Sequence, residues 1–158
     1  MTPFLVLLLA FAIGVATGLR SMTPPAIVAW AAHRSWITLH NTVLSFIGAT
    51  ATVALFSLLA AGELVADKLP SMPSRTRPPV LIARLVLGGL SGAAVALAGA
   101  QSLAVGAILG AIGGIAGAFG GYLSRKHLVR ALKVPDFIFA VLEDVVAIGG
   151  SLLIVLQS

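Results

Sequence analysis

The sequence predicts an all-α, polytopic transmembrane helix bundle of five spans, plus a short helix after Arg20 that is broken, re-entrant or a sixth span. Three observations predict it. Hydrophobic residues make up 59% of the chain and charged residues 9%, with a mean hydropathy of +1.09, where soluble proteins carry about 25% charged residues. Uncharged runs of roughly span length recur, and short loops between them hold the charges. Seventeen glycines offer the small surfaces through which membrane helices approach closely. The 158 residues suit a single integral membrane domain, 1–158.

The first span, 3–19, is uncharged and ends at Arg20. It is apolar from the start and lacks a basic leader, so it is expected to be a retained span rather than a cleaved signal. Thr23-Pro24-Pro25 has the pattern of an N-cap followed by proline in a first helical turn, which starts a short helix at 24–34. The chain between, Gly18 to Thr23, then interrupts the helix. Backbone groups freed at membrane depth are tolerated only where protein or water covers them, and transporters place such breaks at their binding sites. The second span is expected at 42–66, with Pro70 as its stop. No charge occurs from Leu85 to Ser124, which gives spans at 80–98 and 102–123 around the turn Gly99-Ala100-Gln101-Ser102. The last uncharged stretch, Val145 to Ser158, is shorter than the roughly 20 residues a span needs. The final span therefore starts after Pro135-Asp136, at 137–156, and contains Glu143 and Asp144 roughly 10 Å along its axis.

Eight of the ten basic residues lie in two loops: Lys68, Arg75, Arg77, Arg84, Arg125, Lys126, Arg130 and Lys133. Two spans separate the loops, so both face one side, which the positive-inside rule makes cytoplasmic (67–84 and 125–134). Five spans then put the N-terminus inside; a sixth would move it outside. Membrane orientation explains the net charge of +5, and no nucleic-acid partner is expected. The chain has no cysteine, which excludes disulfides, thiolate metal sites and cysteine nucleophiles. The segments Gly14 to Ser21 and Gly117 to Arg125 each precede an acidic helix, a weak sign of an inverted repeat.

Carboxyls inside a span are costly and need partners or water, so Glu143 and Asp144 are candidate ion-binding or transport residues. Glu63 and Asp67, four residues apart, share one helix face and could join them. Oxygen ligands of this kind suit protons or hard cations, with no particular metal indicated. Arg20, Arg84 and Lys68 are the candidate counter-charges or gates: Arg20 beside the break, Arg84 equally able to snorkel to the interface, and Lys68 a neutraliser of Asp67. Adjacent helical residues point about 100° apart, so Glu143 and Asp144 need not share a partner. The alternative is a structural network of ion pairs. Gly110, Gly113, Gly114, Gly117, Gly120 and Gly121 form a stripe for helix packing within the bundle or between protomers. His33 and His40, near Trp30 and Trp36, have the pattern of an interfacial belt rather than a metal site. No nucleophile and base pair by spacing, and an enzyme is not expected.

The motifs Gly18-Leu-Arg-Ser-Met-Thr, Glu63-Leu-Val-Ala-Asp-Lys-Leu-Pro, Pro73-Ser-Arg-Thr, Gly120-Gly-Tyr, Pro135-Asp-Phe and Leu142-Glu-Asp-Val-Val-Ala-Ile-Gly-Gly resemble the bacterial family of small integral membrane proteins known as domain of unknown function 4126. The resemblance covers nearly the whole chain. It implies an integral protein of a bacterial inner membrane and supplies no activity. The residues themselves point to a small transporter or channel for a cation or a proton-coupled solute, without cofactors. The alternative is a non-transporting structural, lipid-binding or partner-binding protein. So few spans favour a homo-oligomer, most simply a dimer.

Overall fold

A computed structural model describes residues 1–66, 77–132 and 136–158, and their side chains except those of 128–137. Among the described residues the chain forms six α-helices and no strand. They are α1 (Pro3–Leu19), α2 (Thr23–His33), α3 (Thr50–Ala66), α4 (Pro78–Ala98), α5 (Leu103–Leu132) and α6 (Asp136–Gln157), with a 3₁₀ turn at Ser45–Gly48 before α3.

Proline in the first turn starts α1, α2 and α4. The Thr2 hydroxyl accepts from the N–H of Leu5 ahead of Pro3, and Arg77, with extended backbone, precedes Pro78 and Pro79. Two helices end alike, in a left-handed residue that is not glycine. Ser35 (φ 57°) follows α2 and Ala100 (φ 56°) follows α4. Beyond them Trp36 donates to the Ala31 carbonyl and Gln101 to the Ala96 carbonyl, both at 2.8 Å, which satisfies carbonyls that a helix end leaves open.

Three helices are long and apolar enough to cross a membrane: Pro78–Ala98, Leu103–His127 within α5, and Ile138–Gln157 within α6. The expected count of five is not confirmed. The helices α1 and α3 are apolar but have 17 residues each, about 26 Å against a hydrocarbon core of about 30 Å. The span expected at 42–66 begins late, at Thr50. Asn41 is left-handed (φ 64°), the Thr42 hydroxyl bonds the Leu39 carbonyl and the N–H of Leu44, and Ala49 is extended. These side-chain bonds compete with helical ones. In the other direction, α5 continues past 123 to Leu132, because nothing in Ser124 to Arg130 breaks a helix.

Glycine contacts give the helix directions. Gly14 meets Gly110 and Gly18 meets Gly114 and Gly117, so α1 and α5 run parallel; Gly88 meets Gly110 and Gly92 meets Gly106, so α4 runs antiparallel to α5. The two segments expected to form an inverted repeat therefore lie side by side in the same direction. Gly99 packs on Val6, placing the α4–α5 turn at the α1 N-terminal end of the bundle. At the opposite end lie the C-termini of α1, α3 and α5 and the N-termini of α4 and α6. The hairpin of α2 and α3 both leaves from and returns to that end, since Glu63 of α3 bonds Ser21 and Met22 before α2. The two chain termini thus share one end, unlike the five-span arrangement.

In the core, α5 packs between α1 and α4, while α6 packs on α1 and α2 more than on α5. Leu9, Ile13, Val28, Val95, Ile154 and Val155 are among the buried apolar residues that join these layers.

Candidate functional site: the charged break between α1 and α2

The site grows from the end of α1. Arg20 still donates its N–H to the Ala16 carbonyl at 2.9 Å, but its backbone is extended (φ −136°, ψ 115°), and a bend at Ser21 and Met22 leads into α2. A helix end leaves carbonyls open and carries partial negative charge; a helix start leaves N–H groups open and carries partial positive charge. Both ends occur here within five residues, and oppositely charged side chains from elsewhere in the chain meet each of them.

At the α1 end, a guanidinium Nη1 of Arg84 donates to the Gly18 carbonyl. At the α2 start, the two carboxylate oxygens of Glu63 accept the N–H of Ser21 at 2.7 Å and of Met22 at 2.9 Å. Between them, the Arg20 side chain forms an ion pair with Asp144 of α6. Arg20 is 0% exposed and Arg84 3%. Arg84 thus does not snorkel: it sits nearly two turns into α4, and its guanidinium reaches across to the Gly18 carbonyl of α1. Thr23 was expected to cap α2. It is instead the first helical residue, Met22 holds the cap position without a side-chain bond, and a carboxylate 41 residues away in sequence takes the N–H groups.

Glu143, next to Asp144, has a different partner: Arg125 of α5, at 3.6 Å. Glu63 and Asp144 thus meet the break from α3 and α6, whereas Glu143 faces Arg125. Among the described residues no group of three or more His, Cys, Asp or Glu side chains is placed to hold a metal ion. Asp67 and Lys68 lie outside the described residues. His33 bonds the Gly48 carbonyl through Nδ1 at 2.9 Å, and Trp30 donates to Ser57, so both serve the α2–α3 hairpin.

The glycine stripe is used inside the bundle. A methyl group on Gly110, Gly113, Gly114 or Gly117 would run into the backbone of α1 or α4, whereas one on Gly120 meets nothing within 4 Å. Gly120 and Gly121 instead line a cleft of about 420 Å³ between α5 and α6, with Arg125 and Glu143 in its wall.

The pairing of Arg125 with Glu143 is not legible in the sequence, because a basic residue after an apolar run has the pattern of a topology signal whether or not it bends back. The surfaces that receive the stripe are marked in sequence by spacing alone. Gly14-x-x-x-Gly18 and Gly88-x-x-x-Gly92 were the available signal, the same spacing as in α5.

The Domain of unknown function (DUF4126) family matches residues 7–157, and the chain belongs to that family. No curated protein and no solved structure matches it. The fold is that of a membrane-like helical protein, with three helices long and apolar enough to cross a membrane. Three stretches far apart in sequence come together at the break: Gly18 to Met22, Glu63 and Asp144.

Proposed function

We propose that this chain is a small membrane transport protein for a cation or a proton-coupled solute, and that the charged break between α1 and α2 is its working site. The observation that carries the reading is the charge arrangement: Glu63 sits on open N–H groups and Arg84 on an open carbonyl, with Arg20 and Asp144 between them. These are ligands already matched to one another. A proton or cation that neutralises Glu63 or Asp144 weakens its hold on the break, and the freed backbone groups become available to a solute. In this reading Glu63 and Asp144 exchange charge, Arg20 and Arg84 restore the closed arrangement, and Glu143 with Arg125 forms the neighbouring wall. The end of the bundle that carries the basic residues faces the cytoplasm, by the positive-inside rule, in an inner membrane. The glycine contacts give the rigid frame of α1, α4 and α5 against which the hairpin α2–α3 and α6 would shift.

The test is flux into proteoliposomes under an imposed proton or sodium gradient, followed with a pH-sensitive or ion-sensitive dye. Wild-type protein should carry flux, and Glu63→Gln and Asp144→Asn should reduce it at least tenfold while keeping the wild-type gel-filtration profile. An inactive wild type under every gradient, or unchanged flux in both variants, overturns the proposal.

A second reading, a non-transporting membrane protein with the charges as scaffold, is favoured by one observation: Glu63, Glu143 and Asp144 each already have a partner. Its mark would be recovery of thermal stability on exchanging the pair (Arg20→Asp with Asp144→Arg) in a protein that carries no flux.

A further inference from the structure

Arg34 is the one basic residue of the ten that belongs neither to the charged break nor to the two basic loops, so the positive-inside rule does not account for it. It follows α2 directly. The helices α2 and α6 leave the break side by side: Asp144 pairs with Arg20 just before α2, and Leu152, about two turns further along α6, lines a groove with Ile27, Trp30, Arg34 and Trp36. Ile27, Trp30 and Arg34 recur at steps of three and four residues and so share one helical face. Arg34 stands about 10 Å further from the break than Ile27, at 1.5 Å per residue, so the groove runs from an apolar inner part to a cationic mouth. Its walls are held in place. The Trp30 indole donates to the Ser57 hydroxyl of α3 at 3.0 Å and meets the His33 ring edge-on, and His33 bonds the Gly48 carbonyl. The Arg34 guanidinium lies 5.6 Å from the Trp30 ring centre, where the ring attracts its charge. Among the described residues neither a carboxylate nor another hydrogen-bond acceptor meets that guanidinium. The volume, about 300 Å³, stands at the lower end of the range of about 300–1,000 Å³ usual for small-molecule sites.

We propose that this groove holds an anionic phospholipid, with its phosphate at Arg34 and an acyl chain along Ile27, Trp30 and Leu152. A guanidinium matches phosphate oxygens through its planar fork of N–H donors. Its place at the mouth puts charge where a headgroup stands and apolar lining where the chain enters the bilayer. A choline headgroup fits less well, because Arg34 already covers the Trp30 ring that could attract a quaternary ammonium, and the two cations repel. The counter-charge has to come from outside the chain: no Asp or Glu occurs at 1–62 or 145–158, which include α2 and the length of α6 beside the groove. A second copy inserted the same way brings the same acid-free surface to this level and supplies no partner for Arg34. The proposal does not depend on transport at the break.

Trp30 and Trp36 are the two tryptophans of the chain, so its tryptophan fluorescence reports on this groove. The test reconstitutes the full chain in vesicles of equimolar phosphatidylglycerol and phosphatidylcholine in which one lipid or the other carries dibrominated acyl chains, which quench tryptophan on contact. A headgroup preference of about fivefold, the value of one basic residue near an anionic surface, should make quenching stronger when phosphatidylglycerol is the brominated lipid. Arg34→Gln should equalise the two while keeping the wild-type gel-filtration profile, since Arg34 is exposed. Arg34→Lys should keep part of the preference, and Lys126→Gln, at the other end of the bundle, should keep all of it. Equal quenching by the two lipids in wild type, as an interfacial belt without a site gives, or a preference that survives Arg34→Gln, would overturn the proposal. So would loss of the preference on adding inorganic phosphate, the mark of a free-phosphate site, or a wild type quenched by neither lipid, the mark of a groove covered by a second copy.

Discussion

The carboxylate of Glu63 accepts the backbone N–H of Ser21 at 2.7 Å across 42 residues of sequence. Its other oxygen holds the N–H of Met22, so one side chain of α3 satisfies the two donors that open α2.

Glu63→Ala should therefore lower stability by about 2 kcal/mol, since partly buried N–H groups lose a charged acceptor. Glu63→Gln should cost less, because its one carbonyl oxygen still accepts while its amide opposes the second N–H. Thermal unfolding of the detergent-solubilised protein gives the order wild type, Gln, Ala.

Arg20 and Asp144 are mutually dependent. Arg20→Met alone leaves a buried carboxylate without its guanidinium, a loss of about 3–5 kcal/mol for such a pair, whereas removing both charges with apolar residues of similar size is often near neutral. The double variant Arg20→Met with Asp144→Leu should hence be more stable than Arg20→Met. A double-mutant cycle of unfolding free energies measures the coupling.

Arg84→Met should destabilise by about 1–3 kcal/mol, the cost of leaving the Gly18 carbonyl without its donor in a buried place. Arg84→Lys should recover part of this. The shorter ammonium is a point charge and must reach the same carbonyl without the guanidinium fork. Thermal melts of the three proteins in one detergent decide it.

Gly110→Ala should prevent normal assembly or reduce stability sharply, because the methyl group overlaps the Gly88 carbonyl in α4, while Gly120→Ala should leave stability unchanged. The two positions lie in one stripe and differ only in what faces them. Expression level and melting temperature separate them.

Much of the fold was legible because its signals are local. Proline and uncharged length placed α1, α4 and α6 to within about two residues, and the Gly99 to Ser102 turn followed from the same pattern. The start of α3 was not legible: the bonds of Thr42 and the left-handed Asn41 hold the preceding chain out of a helix that hydropathy alone would extend. The site was visible as a set of improbable charges. Its pairing was not, because Glu143 and Asp144 differ only in the direction each leaves α6, and that direction selects Arg125 for one and Arg20 for the other.

By itself the sequence determined that the chain is helical and apolar enough for a membrane, that it breaks after Arg20, and that a few charges would need company. These follow from composition, from residues that stop helices, and from the cost of dehydrating a charge. Only the tertiary structure decided the rest: that α1 and α5 run parallel on glycine contacts, that the α2–α3 hairpin returns to the end it left, and that Glu63, Arg84 and Asp144 close on one break. Those are relations between residues far apart in sequence. They depend on how closely backbones approach and on which way each side chain points, and helical periodicity specifies neither before the helices pack.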